Sequence, residues 1–597
     1  MFYRLALGAL VAASLVEASF DRNLAYSSPS RRHPSLAVPL ARVSKRQNGE
    51  LFTPAEVNFT HGVASGDPYD NSVILWARLA PTVDSVASDL VPDGVVPIYD
   101  DSEGAQPSSK AACVEFKIAT DLPLKNVVDQ GRAYTTSDVD YTVKFEAGNL
   151  KPFTTYYYQF NVCGSEKTSP VGRTKTIPSK TQKVDRNINL AVYSCSNFPE
   201  GYFNAYGNPA RKESVDYVLH LGDYIYEYKP DSSIKGRNPL PAREIYSLYD
   251  YRARLGSYRT DTDLLLSHSK FAWIPVWDDH EVANNAWKNG TGNSEGEVFR
   301  KRKQAAVRAY FEWMPIRQVE MDDSLRIWRS FSLGTLFDLM MLDTRQYARD
   351  LTVLGGAFGI GGNSAEVEKL VDLENRTIMG FNQEQWFYNE LTASSQRGAR
   401  WRLIGNQVIF SRMTLGILGG DNDKPFNRDQ WDGYLANRDR VFKHLEENRI
   451  NNTVMLSGDS HASWVSDLAW LGKRDYDENT GAGAFGVELA GTAVTSSSPV
   501  GKGMLNFAAK LLSQWLVKKN PELQWQDLYY RGYFELSIGY EVIEAKFFGI
   551  PDLKVRSDDE ILLATFLIKN GENKLARHPT VGGGKAKGGA LKNGDVD

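Results

Sequence analysis

Between Asn58 and Ile177 apolar and polar residues alternate in short runs, among them NSVILWARL, CVEFKIATD, DYTVKFEAGNL and TTYYYQFNV. Clusters of Gly, Pro, Asp and Thr separate them. Period-two alternation marks strands with one buried face, so residues 52–178 are expected to form a small N-terminal antiparallel β-sandwich domain. The stretch SPVGRTKTIPSKTQKVDRN reads as a linker, and after it the pattern changes. Continuous apolar runs (INLAVYSCS, VDYVLHLGD, FAWIPVWDDHE, LFDLMMLDTRQ, WRLIGNQVIF, NTVMLSGDSHAS) alternate with helical stretches such as EVFRKRKQAAVRAYFEWM, NQEQWFYNELTASS and ANRDRVFKHLEENR. Alternation of that kind predicts an α/β domain with a largely buried sheet over residues 187–570. In such sheets the site lies outside the carboxyl ends of the strands.

The two ends of the chain read differently. Arg4, the apolar run Leu5 to Val16 and the small residues Ala18 and Ser19 make residues 1–19 an expected secretory signal peptide, too short to span a bilayer. Residues 20–46 are rich in Ser, Pro and Arg and are expected to be an unfolded propeptide, cut after Lys45-Arg46 to leave Gln47 at the new terminus. Asn-x-Ser/Thr tripeptides at Asn58, Asn289, Asn375 and Asn451 are candidate glycosylation sites and fit a secreted or cell-wall location. Residues 577–597 are Gly/Lys-rich, lack an apolar lipid-anchor signal and are expected to be disordered.

At 597 residues the chain is too long for a single core. A net charge of -4 gives no electrostatic reason to expect nucleic acid or an anionic membrane as partner. Three cysteines leave one over in a secreted chain. Cys113 and Cys163 lie in strand-like runs of the β-region and are expected to staple it, whereas Cys195 stands alone in AVYSCSNFPEG, for chemistry or merely buried.

Chemically able side chains gather at the strand ends: Cys195; Asp223 and Tyr226; Asp278, Asp279 and His280; Asp343 and Arg345; Asn406; Asp459 and His461. A thiol, a phenol, several carboxylates and imidazoles form a mixed hard and soft donor set, suited to more than one cation. Two of only eight histidines stand beside aspartates here. His220, inside its strand, is expected to be a packed core residue, and His444 to lie on the solvated face of a helix. His61 and Asp67, in FTHGVASGDP, read as a turn with local hydrogen bonds.

The ordered motifs GDYIY, DDHE and GDSH stand where a metallophosphoesterase has G-D-x-x-D, G-N-H-E and G-H-x-H. With SCSN, LDTRQY, WDGY and HGVASGDP, the chain from about Asn58 to Ile568 resembles the PhoD-type alkaline phosphatase/phosphodiesterase family, in a secreted fungal-type form. Cys195 and Tyr226 replace the usual imidazole and carboxylate, and two anionic donors favour oxidised iron. The resemblance implies one Fe3+ on Cys195, Asp223 and Tyr226, with Asp223 shared with Ca2+, and two calcium ions for which Asp279, Asn284, Asp459 and His461 are candidate ligands; Asn406 is an alternative to Asn284. It implies a metallophosphoesterase-type α/β sandwich and hydrolysis of small organic phosphate esters by a metal-activated water. Arg345 is expected to grip a nonbridging phosphate oxygen or else to pair with Asp343, and His280 to protonate the leaving group or order the phosphate. Asp278 is set aside as a supporting or surface acid, and DQWDGY either lines the substrate entrance or packs as an aromatic loop. The alternatives are a phospholipase D-like diesterase and a noncatalytic extracellular binding protein on a degenerate scaffold. Oligomeric state is open.

Overall fold

The structure is a computed structural model that describes residues 18–29, 34–39, 50–81, 110–317, 325–354, 362–414, 425, 427–501, 503–577, 586–592 and 594. Most of the expected signal peptide and the Lys45-Arg46 cut lie outside them.

Two large mixed sheets face each other. The first has nine strands, and its centre is parallel: Ile188–Tyr193, Tyr217–His220 and Ala272–Pro275 run side by side. The second has eight, with Phe337–Met341, Trp401–Gly405, Thr453–Ser457 and Gly486–Ala490 parallel in turn. These strands are mostly apolar and almost wholly buried because both faces are covered. Leu190, Val192, Leu219 and Ile274 of the first sheet share one buried cluster with Leu339, Leu403, Val454 and Leu456 of the second. The helices Gly296–Trp313, Phe381–Gln396 and Leu435–Glu447 are among those that accompany the sheets.

The alternating strands near the N-terminus form two layers of antiparallel strands around a buried cluster of their own, and one layer continues the nine-stranded sheet. Val57–Gly66, Val73–Pro81 and Thr142–Ala147 are the edge of the nine-stranded sheet, joined to it where Ser65 and Gly66 pair in parallel with Ala272 and Trp273. Opposite them Val127–Thr135, Ala112–Ala119, Thr155–Val162 and Gly172–Lys175 form a four-stranded sheet. Val73, Leu75 and Phe145 pack on Val114, Phe116 and Phe160 between the two. The disulfide Cys113–Cys163 is present within this second layer, with Cα atoms 5.3 Å apart. Part of the expected linker, Gly172–Lys175, is thus a strand.

Both tails correct the reading from composition. Phe20, Ala25 and Tyr26 are buried with Ala111 and Val139, and Asn23 accepts the amides of Ala25 and Lys144. Arg308 donates to the carbonyls of Ser27 and Leu36 at 3.0 and 2.6 Å. At the other end Ala590–Leu591 adds a strand to the eight-stranded sheet beside Leu523–Asp527, and Lys592 Nζ donates to the carbonyls of Asn520 and Pro521. Small residues let this strand approach closely, which a composition count cannot register. His61 and Asp67 are also more than a local turn: Asp67 is fully buried and accepts from Arg329 Nε and the Arg317 amide, tying the first strand to a distant one. His220 is a core residue as expected, its Nε2 2.7 Å from Tyr206 Oη. His444 is not on a solvated face; it is half-buried and stacked on Tyr388 at 4.5 Å. Among the candidate glycosylation sites Asn289, Asn375 and Asn451 are exposed, while Asn58 is half-buried on its strand.

Candidate active site

Each polar motif leaves the end of a parallel strand, and the chain turns sharply to do so. Cys195, Asp223, Asp459 and His461 have φ of 61°, 55°, 60° and 54°, the left-handed region that non-glycine residues rarely enter. Such strain costs about 1–3 kcal/mol per residue and persists where function demands it. The glycines ahead of the two aspartates are required for another reason. A Cβ on Gly222, itself at φ 109°, would lie 2.4 Å from the Cβ of Asp278, and one on Gly458 would lie 2.7 Å from the Cβ of Ser194. Neighbouring strand ends therefore pass at a distance that only glycine permits. Glu281 fixes the turn from beneath, accepting the backbone amides of Asp223, Tyr224 and Asp278.

The side chains converge. Ligand atoms of Cys195, Asp223 and His461 lie within 4.8 Å of one another; so do those of Asp223, Asp279 and His280, and those of Asp278, Asp279 and Asp459. Asp223 thus belongs to two of these groups and Asp279 to two. Tyr226 Oη lies 2.9 Å from Asp223 Oδ2 and 3.0 Å from His461 Nε2, and it accepts from Ser496 Oγ at 2.7 Å. His461 Nδ1 is 2.9 Å from the carbonyl of Ser497, which can only accept. The proton is therefore on Nδ1, and the Nε2 lone pair faces the donors of the first group. His461 joins the thiol and phenol rather than the all-oxygen end of the cluster.

The remaining expected residues fall in different places. His280 is buried, with Nδ1 2.6 Å from Glu227 Oε2 and its amide donating to Asp223 Oδ1 at 3.2 Å. Although burial opposes it, Glu227, Asp279 and Asp223 raise its pKa well above the usual histidine value. Arg345 corrects the reading of a free phosphate grip. Its guanidinium is fully buried and paired with Asp278, Asp429 and Asp459, the Asp429 contact being 2.5 Å. The proposed partner Asp343 instead accepts the backbone amides of Arg345 and Gln346 and the Trp277 indole N–H. Asn284 is exposed and is held by its amide on Glu227 Oε1, while Asn406 is buried and spans Val408, Ser457 and Trp431. Neither amide side chain is drawn into the cluster by these contacts. In DQWDGY, Asp429 pairs with Arg345 and Arg349, and Trp431 and Tyr434 are packed in a core.

Glu227, Glu281, Ser496 and the full part played by Asp278 and Asp429 went unread in the sequence. Glu227 and Glu281 stand inside GDYIYEY and DDHE, so the signal was the last acid in each motif. Ser496 carries no such mark, since its place depends on a loop arriving from far along the chain.

The charge balance decides what the site can hold. Burial raises the pKa of Asp223, Asp278 and Cys195 well above normal, puts Asp459 at about 6 and Glu281 at about 7. For Asp279 burial is overcome by Arg345 and His280, which hold it below the usual range. Asp278 Oδ2 and Asp279 Oδ1 are buried with no hydrogen-bond partner. Orphaned, inward-facing carboxylate oxygens beside a thiol and a phenol fit cations, which would satisfy them all at once.

This geometry has a counterpart among known proteins. Residues 190–547 match the PhoD-like phosphatase family, and residues 45–178 match the PhoD-like phosphatase N-terminal domain. The chain belongs to the PhoD-like phosphatase family. It is similar to alkaline phosphatase D of Bacillus subtilis (strain 168), 35% identical over 486 residues, which cover 80% of this chain and 75% of that protein. The solved structure of PhoD superposes with a TM-score of 0.73 at 32% identity, over 90% of this chain and 94% of that one. The purple acid phosphatase PPD1 from yellow lupin shares the fold at 12% identity and a TM-score of 0.50, over 86% of this chain and 74% of that one. As a PhoD-like phosphatase, the chain carries its strand-end donors on a scaffold of the alkaline phosphatase type.

Proposed function

We propose that this chain is a secreted, metal-dependent phosphatase and phosphodiesterase that hydrolyses small organic phosphate esters by attack of water. The observation that carries the reading is the sharing of Asp223 and Asp279 between adjacent donor groups, which strings sulfur, phenol and imidazole at one end and carboxylates at the other into one centre. Cys195, Asp223, Tyr226 and His461 would hold Fe3+, whose charge suits anionic soft and phenolic donors. Asp278, Asp279 and Asp459 offer oxygens suited to calcium. When bound, the cations neutralise the ester oxygens and lower the pKa of an attacking water.

The chain's own residues then have distinct tasks. His280, cationic on Glu227, donates a proton to the departing alkoxide; proton transfer of this kind is worth roughly 10²–10⁴-fold. Arg345 is a positioning residue that fixes Asp278, Asp429 and Asp459. Glu281 holds the turn that presents Asp223. Secretion rests on the N-terminal pattern, and among the described residues no helix is long and apolar enough to cross a membrane.

The test is a parallel assay of a phosphate monoester and a diester with the wild-type protein and Asp223→Asn. Hydrolysis of either ester by the wild type, lost in the variant, supports the reading and reports the ester preference. Absence of hydrolysis of both by metal-replete wild-type protein overturns it.

A further inference from the structure

The helix Asn506–Lys519 is apolar on the face it turns into the fold and apolar again on the face it turns to solvent. Inside, Ala509, Leu516 and Val517 are buried with Met413, Leu523 and Leu528. Outside, Phe507 and Leu511, with Leu505 just ahead of the helix, are 66%, 60% and 64% exposed. Phe507, Leu511 and Trp515 stand four residues apart and so line one stripe. A helix on the surface of a globular domain ordinarily shows water its polar residues. Leu435–Glu447 does so, with Lys443, Glu446 and Glu447 exposed. An outward stripe of large apolar residues marks a surface that meets something other than water.

The charge along this segment has one sign. Residues 489–521 contain four lysines, Lys502, Lys510, Lys518 and Lys519, and no Asp, Glu or Arg. Lys518 and Lys519 are exposed and Lys510 is half-buried, and none of these three is paired with a carboxylate among the described residues. Lys519 Nζ lies over the Trp515 ring at 4.7 Å. The net charge of -4 for the whole chain hides this local excess, because a sum does not register position.

We propose that this face docks on an anionic lipid surface, with Leu505, Phe507 and Leu511 entering the headgroup boundary and Lys510, Lys518 and Lys519 reaching the lipid phosphates. The helix has 14 residues, too few to cross a bilayer, so it lies in the plane of the interface. Lysine suits that placement, because its stem runs along apolar surface while its ammonium stays in the polar layer. A second copy of the chain fits the face poorly: a symmetric contact would bring the lysines of both copies together, with no acid in the segment to neutralise them. Met504 and exposed Tyr529 line a cavity of about 440 Å³ that also takes in Thr495 and Ser497, on either side of Ser496, whose Oγ donates to Tyr226 Oη. One loop therefore joins the docking helix to the donor cluster, and attachment would hold the active site close to the lipid.

Co-sedimentation of the full-length, metal-replete protein with lipid vesicles tests this. Vesicles of phosphatidylcholine and phosphatidylglycerol in equal parts should bind it at least about 10-fold more tightly than vesicles of phosphatidylcholine alone. Phe507→Gln with Leu511→Gln removes two apolar anchors at positions already open to solvent and should weaken binding to the mixed vesicles at least about 10-fold. Lys510→Gln with Lys518→Gln and Lys519→Gln should abolish the preference for the mixed vesicles. Both variants should melt, and should hydrolyse a soluble p-nitrophenyl ester, as the wild type does. Light scattering without lipid should give the wild type and the Phe507→Gln, Leu511→Gln variant the same mass. If one variant does not fold, the other and the wild-type comparison of the two vesicles decide the matter. The proposal is overturned if the wild type does not bind the mixed vesicles, if it binds pure phosphatidylcholine as tightly, or if either folded variant binds the mixed vesicles undiminished. It is overturned equally if Phe507→Gln with Leu511→Gln turns a dimer into a monomer, which would assign the face to a second copy of the chain.

Discussion

Two regions of this molecule bury many charges, and they solve the problem differently. Around Glu312 the charges close on themselves. Arg252 grips both oxygens of Glu312 at 2.6 Å, Arg308 shares one of them at 2.6 Å, and nearby Asp140 takes Arg78 at 2.7 Å and the Trp313 indole at 3.1 Å. Around Asp223 they do not close. Asp278 Oδ2 and Asp279 Oδ1 have no hydrogen-bond partner, the nearest cation to the latter being Arg345 Nη2 at 3.9 Å, and the strand-end backbone is held in left-handed conformations. The Glu312 network finishes its own hydrogen bonds, whereas the Asp223 cluster, unfinished and strained at once, has the character of a ligand site.

That contrast is open to attack by mutation. The largest effect is expected at the unfinished end: Asp223→Asn should lower kcat by at least about 10³-fold, on the order of 4 kcal/mol of transition-state stabilisation. The same change should leave the metal-free protein no less stable in thermal melts, since it removes a like charge from a crowded site. Loss of stability without loss of turnover would reverse the assignment of the two regions. Next comes the finished network. Glu312→Gln breaks buried pairs and should cost about 3 kcal/mol in denaturant unfolding, with kcat of the folded protein unaltered. His280→Asn should slow hydrolysis by roughly 10²-fold for an alkyl ester. The deficit should shrink for a p-nitrophenyl ester, whose leaving group needs no proton; an equal deficit with both would remove His280 from the acid role.

How much of this was legible follows from where the determinants lie. Donors at strand ends were readable because each sits immediately after an apolar run, as Asp223 follows YVLHLG and Asp459 follows VMLSG. The assignment of partners was not, because Arg345 meets Asp278, Asp429 and Asp459 only after three separate chain segments fold together. Alternation correctly marked strands near the N-terminus, but periodicity reports a buried face and not which sheet covers it. Hence the pattern marks the N-terminal strands and their shared core but not that three of them continue the nine-stranded sheet. Composition misled at both tails, where a few residues such as Phe20, Tyr26 and Ala590 dock into the fold inside segments of polar or Gly/Lys character. The smallest expected effect belongs here: deleting residues 586–597 should lower unfolding stability by about 1 kcal/mol, the scale of the hydrogen bonds lost at Lys592 and the terminal strand. Kinetics should not change.

The central claim is that the unfinished cluster is completed by cations held on Cys195, Asp223, Tyr226 and His461. Elemental analysis of the purified protein, read together with its visible absorption, tests it most directly. The account predicts about one iron per chain, calcium in excess of it, and a charge-transfer band that Tyr226→Phe abolishes or shifts. A colourless protein that hydrolyses phosphate esters at full rate without bound iron would contradict it.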